Sequence, residues 1–312
     1  MPQPGADPAA AALAALAEYD LGELTGLEEL PAGSLAGRKV LAAAGTFVLK
    51  PAARHADVEL QARISGLLTA QGLRQARVMP TSAGALVTCN GYVLLEYLEG
   101  SAPLHPSPAQ TAAAMRHVAE FHQALGRLPV RYAPDPESLW VRVADPEHLV
   151  TTLPRQLAEL GMASADTQRA IAILDRARGS LAALPRQLVH GDLGPDNVLM
   201  DGDEVVSVID FTPYWDSVLF AACGALYWYH VRAAATPDLG RLQASLAAMD
   251  AARPWSAAEQ SLWPAGLIRE ALRRLATPLE LARVQGSAPG PSTGPRLDAL
   301  RAAVRLCQPH CD

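Results

Sequence analysis

Residues 189–211, VHGDLGPDNVLMDGDEVVSVIDF, constrain the fold more than any other stretch of this chain. Leu188 and Val189 end an apolar segment at His190, and Gly194-Pro195-Asp196-Asn197 is turn chemistry. Val198, Leu199 and Met200 read as a short strand. Asp201-Gly202 marks a hairpin turn, because glycine accepts the positive φ such a turn requires. Val205 to Ile209 returns as a β-branched strand ending at Asp210. A hairpin of this kind carries Asn197 at the start of one strand and Asp210 at the end of its partner. The two side chains then emerge at the same end, beside Asp192 in the preceding loop.

Those three groups suit phosphoryl transfer. Magnesium takes oxygen ligands such as Asp210 and Asn197, and a carboxylate such as Asp192 can orient an acceptor hydroxyl and take its proton. The pattern HxDxxxxN, followed by a strand and Asp-Phe, resembles the catalytic-loop and metal-loop signature of the kinase-like fold. With glycine at position 191, the chain is similar to the aminoglycoside phosphotransferase and choline kinase family, a broad set that also includes homoserine and fructosamine kinases. The competing reading is an acidic hairpin such as any α/β protein can own. It does not account for His190, Gly191, Asp192, Asn197 and Asp210-Phe211 occurring together.

The resemblance implies an α+β, bilobal protein-kinase-like fold with a small β-rich N-lobe and a mostly helical C-lobe. ATP is expected between the lobes, with Mg2+. The expected boundaries are an N-terminal helix at 1–18, the nucleotide-binding sheet and helix at 19–97, the C-lobe at 98–284, and a linker and last helix at 285–312.

The segments upstream follow the expected order. Leu27 to Leu30 and Arg38 to Ala43 read as strands flanking PAGSLAG, where Gly33 and Ser34 can offer backbone N–H groups and a hydroxyl to phosphate oxygens. Phe47-Val48-Leu49 leads to Lys50, which resembles the strand lysine that binds the α- and β-phosphates; read alone, it is a solvated strand-end lysine. Asp57 is expected to cap a helix closed by Gly72. Within that helix, Glu59 is the candidate partner for Lys50, or merely favours the helix dipole.

Ala85 to Thr88 and Tyr92 to Tyr97 read as two further strands about a turn at Cys89-Asn90-Gly91. The second leads into a hinge-like Glu96-Tyr97-Leu98, whose backbone the family uses for adenine, and the family's nucleotide site also implicates Met200. Ser107-Pro108-Ala109-Gln110 is a helix start with a capping box. Downstream of it, AEFHQAL resembles the family's LAxLH helix, with His122 a packed core histidine.

The segment after Phe211 carries less information. It has no glycine following Phe211 and no long phosphosite-bearing loop, which disfavours a compact protein Ser/Thr kinase. A catalytically silent nucleotide-binding protein on the same fold is the other competing class. Asp216 stands where many family members have an acid, but Ala221 stands where the second would be. Tyr214 and Trp215 are candidate acceptor-pocket residues. Trp228 and its aromatic neighbours read either as helical core or as a cation–π wall. Arg269 and Glu270 in LIREALRRL read as surface or inter-helix ion pairs.

The remaining composition excludes several classes. A net charge of −6 gives no reason to invoke nucleic acid or an anionic membrane, and no apolar run has the length of a membrane span. The start lacks the basic residues of a secretory signal, and four scattered cysteines make no disulfide framework. Cys307, His310 and Cys311 make a poor zinc site. A cytoplasmic kinase of a small molecule is the expectation.

Overall fold

The computed structural model describes residues 7–30, 37–52, 54–232 and 237–310. The chain divides into two compact units. One comprises Met1–Ser101 with Val206–Asp210, the other Ala102–Val205 with Phe211–Asp312.

The first unit opens with α1 (Pro8–Leu16), whose Asp7 cap accepts a hydrogen bond from Ala9 N at 2.9 Å. Asp7 satisfies an otherwise orphan donor, and Pro8 needs none. Strands β1 (Leu24–Glu29), β2 (Arg38–Ala42), β3 (Gly45–Pro51), β4 (Val78–Met79) and β5 (Tyr92–Glu96) form one antiparallel sheet in the order β1-β2-β3-β5-β4. Phe47 and Leu49 alternate along β3. They share a core with Ala12, Ala15 and Leu16 of α1, Val40 of β2, and Tyr92 and Leu94 of β5. Burying each of these large side chains contributes about 2 kcal/mol. The same period-two alternation sends Lys50 to the other face from Leu49.

Helix α2 (His55–Thr69) starts earlier than Asp57 predicts: Arg54 occupies the cap position with no side-chain cap bond, and Asp57 lies in the first turn. Its apolar Val58, Ile64 and Leu68 are buried at helical spacing. The expected strand at Ala85 to Thr88 is a loop. Gly84 has φ +81°, Gly91 N donates to Thr88 O, and β4 takes the sheet position beside β5 instead. The end of β8 (Glu204–Val208) belongs with this unit, because Val208 N donates to Arg74 O and Val208 bridges Gln75.

The second unit is mainly helical. It contains α3 (Pro108–Arg127), α4 (Leu139–Ala144), α5 (Pro146–Thr151), α6 (Leu153–Glu159) and α7 (Ala165–Ala182). After β6 (Arg186–His190), β7 (Val198–Asp201) and β9 (Pro213–Ser217) come α8 (Val218–Leu226), a π-helical turn (Tyr227–Arg232), α9 (Leu239–Ala252), α10 (Ala257–Gln285) and α11 (Thr293–Cys307). The α3 capping box forms as its sequence predicts, with Gln110 N on Ser107 Oγ and Gln110 Oε1 on Ser107 N. β6 pairs with β9, antiparallel, and β7 with β8. Gly202, with φ +57°, makes the turn between β7 and β8.

Helix α10 buries Leu267, Ile268, Ala271, Leu272 and Leu275 completely, and tolerates Pro264 and Pro278 in its interior. Gly286, in the left-handed conformation with φ +63°, ends it. The last helix, expected after a linker within 285–312, runs from Thr293 to Cys307. No helix among the described residues is long and apolar enough to cross a membrane.

Candidate active site

In the first unit the key contact joins Lys50 Nζ and Asp210 Oδ1 at 2.5 Å. Lys50 is placed by β3, and Asp210 follows β8. Asp210 has φ +53°, the only positive-φ residue besides glycine among those described. Asp tolerates this region better than most residues, yet a strained conformation held in place by an ion pair is typical of a functional position. Glu59 is exposed on α2, and the described ion pair of Lys50 is with Asp210 rather than Glu59. Glu96 pairs with Arg74 and Arg77 at 3.1 and 3.0 Å, and Leu98 is buried. Gly33 and Ser34 lie outside the described residues.

In the second unit, the loop from β6 to β7 is fixed by backbone and side-chain bonds. His190 is fully buried; its N–H donates to His122 Nε2 at 3.2 Å, and its Nδ1 accepts from Asp192 N at 3.2 Å. Asn197 Nδ2 donates to Asp192 O at 2.8 Å, which directs the amide oxygen away from the loop. Gly191 N donates to Thr212 O, and any Cβ at 191 would overlap the Tyr214 ring. That close approach is the physical reason for glycine between His190 and Asp192.

Asp192 is tied to two later elements. Its Oδ1 accepts from Trp228 Nε1 at 3.0 Å and from Arg274 Nη2 at 2.7 Å. Trp228 comes from the π-helical turn, a distortion frequent at functional sites, and Arg274 stacks over its ring at 4.6 Å. Burial alone would push the Asp192 carboxyl up; the Arg274 guanidinium overrides it and holds the group below the usual carboxylate range. Asp192 is therefore an anion at neutral pH.

Arg274 is itself braced. Buried Glu270 accepts from Arg274 Nε at 2.7 Å and from Arg273 Nε and Nη2 at 2.7 Å each. Arg273 reaches Tyr214 Oη at 3.3 Å, and Arg269 forms a forked pair with Asp216 while also donating to Ala144 O. Arg269 and Glu270 are thus buried, 5% and 1% exposed, which corrects their reading as surface pairs. Their position is set by β9 and α4, which the helix sequence alone does not reveal. The ion pair of Arg269 with Asp216 joins α10 to strand β9, not to another helix. Tyr214 is buried, Trp215 is half-buried beside it on β9, and Met200 is buried on β7. Ala221 lies in an apolar cluster with Val189, Tyr214 and Phe220, so no second acid is present there.

Sequence reasoning missed Arg274 and the contact of Trp228 with Asp192. The available signal was the spacing of Glu270, Arg273 and Arg274, which puts all three on one helical face.

Asp210 and Asn197 are both oxygen donors, as Mg2+ requires. Among the described residues no group of three or more His, Cys, Asp or Glu side chains could hold a metal by itself. The carboxylate and the amide are each a ligand of the kind that Mg2+ takes together with phosphate oxygens and water.

Residues 26–255 match the model of the phosphotransferase enzyme family. A homoserine kinase from Methylobacillus glycogenes is 32% identical over 262 residues, covering 81% of this chain and 79% of that protein. Among solved structures, a microcompartment-associated aminopropanol kinase superposes with a TM-score of 0.68 at 18% identity, covering 96% of this chain and 95% of the other. An amicoumacin kinase in complex with AMP-PNP, Ca2+ and Ami gives 0.69 at 13% identity, covering 97% and 94%. These likenesses support the α+β kinase-like fold.

Proposed function

Since this chain belongs to the phosphotransferase enzyme family and is a small-molecule kinase, we propose that it transfers the γ-phosphoryl of ATP to the hydroxyl of a small hydroxy-amino acid, homoserine being the first acceptor to test. The observation that carries the chemistry is Asp192: an ionised carboxylate on a rigid loop, with both described donors on Oδ1. Oδ2 is then the atom that takes the acceptor's proton, and the fixed loop supplies the orientation that general-base catalysis needs. The name of the relative that matches four-fifths of the chain supports the acceptor class.

In this reading Asp210 and Asn197 are the residues that would hold Mg2+, which would supply charge neutralisation for the transferring phosphoryl group. Lys50 steadies Asp210 and braces the phosphates. The backbone around Glu96 and Leu98 serves the adenine, Met200 flanks the nucleotide, and Gly33 and Ser34 cover the phosphates. Tyr214 and Trp215 support the acceptor side, with Tyr214 acting through Gly191 and Arg273. The reaction needs a cytoplasmic supply of ATP.

A panel of homoserine, an amino alcohol, an aminoglycoside and a sugar, scored by acceptor-dependent MgATP consumption, tests the proposal. Homoserine should give the highest kcat/KM. Consumption with another class alone, or MgATP binding without turnover on any acceptor, would overturn it.

A further inference from the structure

Asp192 is faced by the positive charges of Arg274, which touches it, and Arg273 behind it. Arg232, Arg273, Arg274 and Arg296 act on one another across the second unit, with Asp192 and Glu270 as the carboxylates that act on Arg273 and Arg274. Burial is the main cause that pushes Arg296 below the ordinary arginine range; Tyr227 opposes it, and the like charges of Arg274, Arg232 and Arg273 add to it. Its Nη1 donates to Arg274 O at 2.7 Å, so it lies directly behind the residue that touches the base.

The donors of Arg274 are unevenly used. Nε goes to Glu270 and Nη2 to Asp192. Nη1 has no protein partner among the described contacts, and it is not among the enclosed, unpartnered polar atoms. The guanidinium plane rests on the Trp228 ring. A planar guanidinium with Nε on Glu270, Nη2 on Asp192, one face on an indole and Nη1 open is preorganised for a second carboxylate.

We propose that Arg274 is the carboxylate clamp of the acceptor site. The guanidinium binds the acceptor's carboxylate through Nη1 while Nη2 keeps Asp192 oriented, so one residue fixes both the acceptor and the base that deprotonates it. This rests on the hydroxy-amino acid reading above and sharpens it. An acceptor that carries an amine without a carboxylate leaves Nη1 of Arg274 without an anion and brings a second positive charge beside it, so it is disfavoured; specificity follows from charge.

Binding separates the clamp from turnover. L-2-aminobutyrate has the carboxylate and amine of homoserine and no hydroxyl, and 2-aminobutanamide lacks the negative charge. Calorimetric titration of the full chain should show the acid binding and the amide binding at least tenfold more weakly. Arg274→Gln should weaken the acid about 30-fold, leaving the amide within threefold of its wild-type affinity. Arg274→Lys, which keeps the charge and loses the fork, should fall between them. Steady-state kinetics should show the KM for homoserine rising more in Arg274→Gln than kcat falls.

Equal binding of acid and amide by the wild type, no binding of the acid, or acid affinity unchanged in Arg274→Gln would overturn the clamp. So would parallel loss of both probes in both variants, which marks a purely structural residue. If the clamp behaves as expected while homoserine receives no phosphate, the proposed reaction fails and the clamp stands.

Discussion

Lys50 and Asp210 form an ion pair whose side chains are 15% and 37% exposed; Asp192, itself 32% exposed, is tied through Arg274 to the buried charges of Glu270 and Arg273. The first arrangement joins a lysine on β3 to a strained aspartate after β8, 160 residues apart in the chain. The second distributes the position of one carboxylate over the β6–β7 loop, the π-helical turn and α10. Changes at the Lys50–Asp210 pair should therefore alter nucleotide chemistry and spare the fold. Changes around Asp192 should couple chemistry to stability, except at Asp192 itself, whose loop is held by backbone bonds.

The largest effect is expected at that exception. Asp192→Ala should lower kcat by about 10³-fold or more, since it removes the base, while MgATP affinity stays near wild type. Turnover at the wild-type rate would break the assignment. Next is Glu270→Gln, which leaves two buried guanidiniums with a neutral partner and should destabilise the second unit by about 3 kcal/mol. Chemical denaturation measures it, and a loss under 1 kcal/mol would show that the network does not hold α10 in place. Asp210→Ala tests the contrasting pair. Magnesium-dependent nucleotide affinity should fall roughly 100-fold, with stability changed by less than about 1 kcal/mol, because a part-exposed pair contributes little. A large stability loss with intact nucleotide binding would reverse the comparison.

How much of this was legible in the sequence follows the same division. The hairpin that carries Asn197 and Asp210 declares itself locally, through Asp201-Gly202 and the β-branched run at 205–209, and β7, β8 and Gly202 form as expected. Lys50 could be placed because β3 alternates cleanly about Phe47 and Leu49. The loop at Ala85 to Thr88 was misread because Val87 and Thr88 favour strands, while the left-handed Gly84 and the Thr88–Gly91 turn decide the backbone. Strand β9 begins at a proline and went unseen until its pairing with β6. The bond between Arg274 and Asp192 spans 82 residues of chain. Spacing on α10 could align Glu270, Arg273 and Arg274, but it could not say that the shared face was buried or that it pointed at the loop carrying Asp192.

The smallest expected effect concerns the support beneath that loop and depends on pH. His122 is fully buried; Nδ1 lies 2.7 Å from Val118 O, and Nε2 accepts from His190 N. The neutral tautomer with the proton on Nδ1 satisfies both contacts. A second proton on Nε2 would face the His190 N–H, and burial lowers the pKa to about 4. Because the folded value lies below the unfolded one near 6.5, the contribution is fully present above pH 6.5 and is lost as pH falls toward 4. Between pH 7 and pH 5 this amounts to about 2 kcal/mol at most. His117 and His230, also lowered to about 4 by burial, act in the same direction. His122→Leu should therefore flatten, but not abolish, the fall in melting temperature between pH 7 and pH 5. Since His190 leads directly to Asp192, the variant should also lower kcat at pH 7, where its stability deficit is too small to unfold it. An unchanged pH slope would show that His122 is not the titrating support, leaving the other two histidines to carry the acid sensitivity.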